Sequence, residues 1–406
     1  MSHSAFRSID EADVAGKRVL VRVDMNVPMH DGMFTDVTRI ERVLPTIRLL
    51  VSRGAKVVIL SHFDRPKGKR VPEMSLRPVA VKMDELLDSA SVRFVDECIG
   101  PDVEREVNSL GNGEVVFLEN LRFHLGEETS DPEFVQALAR LGDIYVNDAF
   151  SSCHRAHASI DALARELPAY AGFLVAAEIN ALIRALEHPE RPVAAVVGGA
   201  KVSTKISVLN NLAGKFDCVI IGGAMVNTFL HAQGFDVGNS LCEADSADMV
   251  QGIMRTAEAA GCEILLPKDA VVAKELKAGA ASEICAIDAV PGNAMILDVG
   301  PETVNALTAR LATCRTLLWN GPLGAFEVEP FGEGTFALAR KAAQLTKEGK
   351  LVTVAGGGDT VAALNAAGAG KDFTYVSTAG GAFLEWLEGK ELPGVAALRQ
   401  SARAAS

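Results

Sequence analysis

The chain has 406 residues, several times the ~150 of a typical domain, so it can build more than one core and lies outside the small folds stapled by disulfides or metal. With 49% hydrophobic and 23% charged residues it also lies outside the disordered class, which combines low hydrophobicity with high net charge. A formal charge of -12 argues against a general nucleic-acid binder, which needs a broad basic surface to release counterions.

Short apolar, β-branched runs alternate with longer helical patterns, as in parallel strand-helix units buried on both faces. In the first half the predicted strands are KRVLVRVDMN (17–26), AKVVILSHFD (55–64), EVVFLEN (114–120) and DIYVNDAF (143–150). A helix is predicted over 170–192, with Phe173, Leu174, Ile179, Leu182, Ile183 and Leu186 on one face and a stop at Pro189 and Pro192. It reads equally as a hinge between two sheets and as an ordinary packing helix. The second half offers PVAAVVGG (192–199), CVIIGG (218–223), EILLPKDAVV (263–272), MILDVGP (295–301), TLLWNGP (316–322), LVTVAGGG (351–358) and YVSTAGG (375–381). The closing RQSARAAS reads as a polar tail. The fold class expected is α/β, with two doubly wound parallel-sheet, Rossmann-like domains.

Charge is unevenly spread. Residues 1–70 hold 13 Lys+Arg and 8 Asp+Glu, net +5, which leaves -17 for the remainder. Such a segment is either a solvated basic face or a focused anion site. The seven cysteines (98, 153, 218, 242, 262, 285 and 314) are scattered without a C-x-x-C and are expected to be reduced. The first residues carry no apolar run after a basic start, and no stretch reaches ~18 uninterrupted apolar residues, so a soluble cytoplasmic protein is expected.

Open α/β sheets bind ligands beyond the carboxyl ends of their strands. In the first half those ends carry Arg22, Asp24, Asn26, Ser61, His62, Asp64, Arg65, Glu119, Asn120, Arg122, Asn147 and Asp148, then His154, Arg155 and His157. Arginines here offer planar forks for a carboxylate or phosphate, although each alone is more commonly a surface ion pair. The second half carries glycines instead: Gly198-Gly199, Gly222-Gly223, Gly356-Gly357-Gly358 and Gly380-Gly381. One doublet is a tight turn; four on one sheet point to a phosphate-bearing ligand approached by backbone N–H groups and helix N-termini. Lys201 and Lys205 are expected i,i+4 on the first helical turn after a doublet, and Asp359 at a helix N-cap, where it either caps or contacts Mg2+. No Walker A, dinucleotide G-x-G-x-x-G or protein-kinase motif is present. H-R-A-H at 154–157 lacks a third metal ligand and reads as an anion contact or as structure.

Taken together, RVLVRVDMNVP, TRIERVLPTI, SHFDRPKG, LENLRFHLGEE, YVNDAFSSCHRAHAS, GGAKVSTKI, IIGGAMVNTF, DVGPETV, LWNGPLGAFE, GGGDT and STAGGAFLEWLEGKELPGVAAL resemble, in order from residue 18 to 398, the phosphoglycerate kinase family. The resemblance implies reversible phosphoryl transfer between ATP and 3-phosphoglycerate, giving ADP and 1,3-bisphosphoglycerate, in glycolysis or gluconeogenesis. It implies an N-terminal acid-binding domain (1–171 plus 390–406), a hinge helix (172–188) and a C-terminal nucleotide domain (189–389), normally in a monomer without nucleic-acid or membrane partners. On this sequence, Asp24, Asn26, Arg39, His62, Arg65, Arg122 and Arg155 would hold the acid. Lys205, Glu327, Gly356, Gly357, Gly358, Asp359 and Thr360 would hold the nucleotide, Glu327 at the ribose and Asp359 at Mg2+. Lys201, Arg39, Gly380 and Gly381 would stabilise the phosphoryl group in flight.

The chain departs from the family pattern at Asp64 and Ala379, both usually Gly, and at Ile296, where many members have Gly beside the adenine. Asp64 is expected to point away from the anion, and Ala379 to be tolerated if it needs no positive φ. Two rivals remain: a nucleotide-dependent dehydrogenase, whose glycine fingerprint is missing, and a hinged solute receptor, which would not need Lys201, Lys205 and Asp359.

Overall fold

The computed structural model describes residues 6–30 and 33–404, which divide into two compact units: 1–179 with 391–406, and 180–390. The division falls inside the helical segment formed by Phe173–Leu182 and a π-helical turn, Ile183–Glu187.

Unit 1 is built on a six-stranded parallel sheet. Its strands are β1 (Arg18–Val23), β4 (Lys56–Leu60), β5 (Val92–Val95), β6 (Val115–Leu118), β7 (Ile144–Asp148) and β8 (Ala169–Ala171), in the order β5-β6-β4-β1-β7-β8. A two-residue hairpin, β2 (Met29–His30) with β3 (Met33–Phe34), follows β1. Every residue of β6 and β7 is buried, as the unbroken apolar runs require of strands covered on both faces. Each fully buried Val or Leu contributes roughly 1.5–3 kcal/mol. The order reverses between β1, which connects to β4 on one side, and β7, which connects to β8 on the other, and the carboxyl ends there open the crevice in which such sheets bind ligands.

Unit 2 has a second parallel sheet in the order β11-β10-β9-β15-β16-β17. These are β9 (Val193–Gly198), β10 (Cys218–Gly222), β11 (Glu263–Leu265), β15 (Thr316–Asn320), β16 (Val352–Gly356) and β17 (Tyr375–Ser377). The runs EILLPKDAVV and MILDVGP behave otherwise than expected. The first is cut between β11 and β12 (Asp269–Ala273), and Pro267, which cannot donate to a ladder, lies in the gap. β12 then pairs antiparallel with β13 (Ser282–Ala286) and β14 (Met295–Val299) in a separate three-stranded sheet. Apolar character alone does not say which sheet a strand joins.

Of the expected polar tail, Ala405 and Ser406 lie outside the described residues, and residues 399–404 are helical. They continue the helix Pro393–Ala404, which buries Val395, Ala397 and Leu398, and the Ser401 hydroxyl accepts from Arg7 Nη2 at 2.8 Å and from the Ala169 N–H at 2.9 Å. The apolar stripe is only four residues wide and was outweighed by the polar residues around it. No helix among the described residues is long and apolar enough to cross a membrane.

Candidate active site

In unit 1 the loops after β1, β4, β6 and β7 and the start of the helix Thr38–Ser52 gather charged side chains, and Asp24 faces Arg39 and His62 among them. Arg39, on the first turn of the helix Thr38–Ser52, donates Nη1 to Asp24 Oδ2 at 2.6 Å; Ser151 donates its hydroxyl to the same oxygen, and the Asn26 N–H reaches Oδ1 at 3.0 Å. Burial pushes the Asp24 carboxyl up, but the charges and donors facing it outweigh burial and hold it at about 2. His62, buried at the end of β4, lies with Nε2 3.9 Å from Asp24 Oδ1. Its Nδ1 is 3.0 Å from Arg22 Nη2, a permanent donor, so the proton of the neutral ring sits on Nε2. Burial, then Arg22, keeps that ring well below its ordinary pKa, so at pH 7 Arg39 is the full positive charge opposite Asp24.

Arg122, only 6% exposed, donates Nη1 to the Asp64 carbonyl at 2.7 Å. Burial first, then Arg22 and Arg155 nearby, lower its affinity for the proton, and burial with Arg122, Arg22 and Arg155 drives His157 to about 4. This mutual repulsion marks a basin of positive potential that an anion would relieve. Arg65 lies exposed at its rim and Arg155 half-buried. Asn26 is exposed, with its side-chain oxygen accepting the Asp64 N–H at 3.1 Å.

Arg22 is not an anion fork. It is wholly buried and bonds Ser159 Oγ at 2.8 Å, the Val23 carbonyl and His62, with Glu127 4.0 Å away. Its task is to fix the His62 tautomer. Glu119 accepts from Ser75 and the Leu76 N–H, while Asp148 accepts from the N–H groups of Leu174 and Val175, so both carboxylates start helices. The sequence reading missed Ser151, for which an isolated serine gives no signal, and the Ser159–Glu127 support, whose members lie far apart in the chain.

Asp64 has φ +51, the left-handed region that favours glycine, and its exposed carboxylate forms no ion pair among the described residues. Asp64→Gly is expected to raise stability by about 1 kcal/mol, because an aspartate tolerates that conformation at a cost, and to change the Michaelis constant of the bound anion less than tenfold. Urea unfolding and steady-state kinetics check both. Ala379 has φ -92 in extended backbone, so it carries no strain.

In unit 2 a cavity of about 330 Å³ opens at the carboxyl ends of the second sheet, lined among others by Gly199, Gly223, Ile296, Asp298, Glu327 and Asp359. Lys205 donates Nζ to Asn320 Oδ1 at 2.5 Å, and Asn320 donates to the Gly356 carbonyl at 2.7 Å, which pins the lysine to the glycine-rich turn. Burial lowers the Lys205 pKa while Asp359 and Glu388 oppose the shift, which places Asp359 in its field. Lys201 and Lys205 do not share a helical turn. Lys201 is extended, Val202–Thr204 form a single 3-10 turn, and the α-helix Ile206–Ala213 begins after Lys205. The Ser203 N–H and hydroxyl bind the distant Glu243 at 3.0 and 2.5 Å, and the Thr204 hydroxyl bonds the Lys201 carbonyl, a local bond that competes with helix formation.

The glycines divide by role. A Cβ on Gly198 would stand 2.0 Å from the Pro322 carbonyl oxygen, so that residue permits packing between strand ends. Gly357, at φ +100, turns the chain into the helix Gly358–Ala366, and Gly356 packs on Phe383. Gly358 and Gly380 have open space before them, each heading a helix whose first N–H groups lack an intrahelical partner; Gly381 follows in the second helix. The Thr360 hydroxyl accepts the Gly321 N–H at 2.7 Å, so its side chain braces the turn.

Asp298, missed in the sequence, is 2% exposed on the cavity wall and accepts the N–H groups of Gly334 and Val299. Burial pushes its carboxyl up to about 7. A folded pKa above the unfolded value of 3.8 means that this group's contribution to stability is full below about pH 4 and is lost as pH rises toward 7. About 2 kcal/mol of that loss falls between pH 5 and 7. Urea unfolding at the two pH values, in parent and Asp298→Asn, measures it: the variant should lack this component.

One basin suits a small anion, and one glycine-lined cavity carries Asp359 and Glu327, with Lys205 beside its Gly199 wall. A family model for phosphoglycerate kinase matches residues 9–390 of the chain. The chain belongs to the phosphoglycerate kinase family. Phosphoglycerate kinases of Cereibacter sphaeroides and Agrobacterium fabrum are each 59% identical to it, over 393 and 395 residues, covering 97% of this chain and 99% and 98% of their own. The solved phosphoglycerate kinase from Coxiella burnetii superposes with a TM-score of 0.91 at 43% identity, covering 98% of this chain and all of its own. That from Pyrococcus horikoshii does so at 0.80 and 31%, with the same coverage. The activity is therefore reversible phosphoryl transfer between ATP and 3-phosphoglycerate, with ATP and ADP as co-substrates.

Proposed function

We propose that the unit 1 basin holds 3-phosphoglycerate and the unit 2 cavity holds ATP or ADP with Mg2+. The observation that carries this reading is the pairing of a basin where Arg39 meets ionised Asp24 and Arg122, Arg155 and His157 crowd one another with a glycine-lined cavity bordered by Asp359, in whose field Lys205 lies. Arg39, Arg65, Arg122, Arg155 and the Nε2–H of His62 meet the negative charges of the acid, while Asp24 and Asn26 accept from its hydroxyl. Lys205, Glu327, Asp359 and the amides of the Gly356–Gly358 turn and Thr360 hold the nucleotide. The donor set fits magnesium, because one exposed carboxylate, Asp359, beside phosphate oxygens is the hard-oxygen arrangement Mg2+ takes. Bound there, the ion supplies charge neutralisation to the phosphates.

The acid's carboxylate is already ionised at pH 7, so no general base is needed. What the chain supplies is orientation and fixed positive charge on the transferred oxygens: Arg39, Lys201 and the amides heading the helix at Gly380 and Gly381. We place the protein in the cytoplasm as a monomer, in keeping with seven unbridged cysteines; sedimentation should then return a mass near 42.9 kDa.

The test is Mg2+-dependent ATP consumption with 3-phosphoglycerate in a coupled assay. Lys205→Ala should raise the Michaelis constant for ATP tenfold or more and leave that for the acid unchanged. An equal rise for both substrates would overturn the assignment of Lys205 to the nucleotide.

A further inference from the structure

Away from both sites, Glu97, Cys98 and His124 are, among the described residues, the one group of three possible metal ligands whose donor atoms all lie within 4.8 Å of one another. Pairing of β5 with β6, ending at Val95 opposite Leu118, brings together the loops that carry them. Glu97 Oε1 lies 2.6 Å from His124 Nε2 and accepts the Cys98 N–H at 2.8 Å, while the His124 ring stacks on Phe134 at 5.4 Å. Cys98 forms the buried wall; the His124 and Glu97 side chains are 30% and 41% exposed, and His124 borders an open groove with Ile99, Asp131 and Phe134.

We propose that Glu97, Cys98 and His124 form a site for a zinc-class divalent cation, with water from the groove as fourth ligand. One sulfur, one nitrogen and one oxygen are the donors zinc prefers, and a thiolate disfavours magnesium. Tetrahedral bonds of about 2.0–2.3 Å put donors roughly 3.3–3.7 Å apart. Loading therefore requires Glu97 and His124, both with solvent on one side, to separate slightly and close on Cys98. Glu119 and Glu127 also face the thiol; together with burial and Glu97 they hold its pKa well up, and the same negative field favours a dication. Arg70, 3.7 Å from Glu97 Oε2, opposes it and limits the affinity.

On loading, the Cys98 thiol releases one proton to solvent and forms the metal–sulfur bond. The His124 hydrogen moves from Nε2 to Nδ1 so that the Nε2 lone pair is free, and no electron is transferred.

The full-length protein, stripped with chelator, is titrated with Co2+ and then Zn2+. The expected result is one cobalt per chain, with a thiolate-to-cobalt charge-transfer band in the near ultraviolet that zinc abolishes and excess Mg2+ leaves unchanged. Cys98→Ser should lose the band, and Glu97→Gln and His124→Gln should each weaken binding tenfold or more while turnover stays at the parental level. Should Cys98→Ser fail to fold, the other two variants still decide. No band in the parent, or unchanged affinity in both of these variants, overturns the proposal.

Discussion

Replacement of Arg39 by alanine is expected to lower turnover by about 100-fold or more, some 2.7 kcal/mol of transition-state stabilisation, while stability moves by less than about 1 kcal/mol. The asymmetry follows from where the charge sits. Its side chain is 38% exposed, and an ion pair whose cation is open to solvent, as in that with Asp24 at 2.6 Å, contributes little to folding. Asp24 also keeps its bonds from Ser151 and the Asn26 N–H when Arg39 is gone. Against a transferring phosphoryl group, a fixed guanidinium acts where charge is spread over three oxygens, and lysine, a point donor without the planar fork, should restore only part of the rate. Turnover within threefold of the parent would remove Arg39 from the catalytic set; urea midpoints for the same variant separate that outcome from misfolding.

Arg22→Met is expected to destabilise the protein by about 3–5 kcal/mol, the largest stability effect of any change considered. Arg22 and Glu127 are both completely buried, and Ser159 joins them, donating its N–H and hydroxyl to Glu127 at 3.0 and 2.6 Å and accepting from Arg22. Methionine fills much of the volume but leaves Glu127 as an uncompensated buried charge. The double variant Arg22→Met, Glu127→Gln should therefore be more stable than Arg22→Met alone. A loss below 1 kcal/mol, or a double variant no better than the single, would show that the pair is not coupled. His62, freed from its donor, could then adopt either tautomer, so the Michaelis constant for the acid should rise as well.

The parallel strands were legible because burial on both faces demands unbroken apolar runs such as VAAVVG and CVIIG, and few other elements make that demand. β5 and β8 were not, since the half-buried VRFV and the three-residue AYA leave too short a pattern. β14 carries the same apolar signature as its neighbours yet pairs antiparallel with β12, because apolar character marks a strand as buried without specifying its partner. The site followed the same division. Asp24, His62, Arg122 and Asp359 were visible from their places after strands, whereas Arg22 occupied an equivalent place and proved to be core.

By itself, then, the sequence determined the two α/β layers, the strand ends on which charged and glycine residues gather, and membership of a family that moves phosphoryl groups. These are properties of local order, written in periodicity and in runs of residues whose spacing survives without folding. Only the tertiary structure decided that Arg22 serves His62 rather than substrate, that Asn320 holds Lys205, that Gly198 makes room for Pro322 while Gly358 and Gly380 face open space, and that Glu97, Cys98 and His124 meet. Each depends on distances between residues 26 to 124 positions apart in the chain, and such distances are fixed by how layers pack, which no linear pattern encodes.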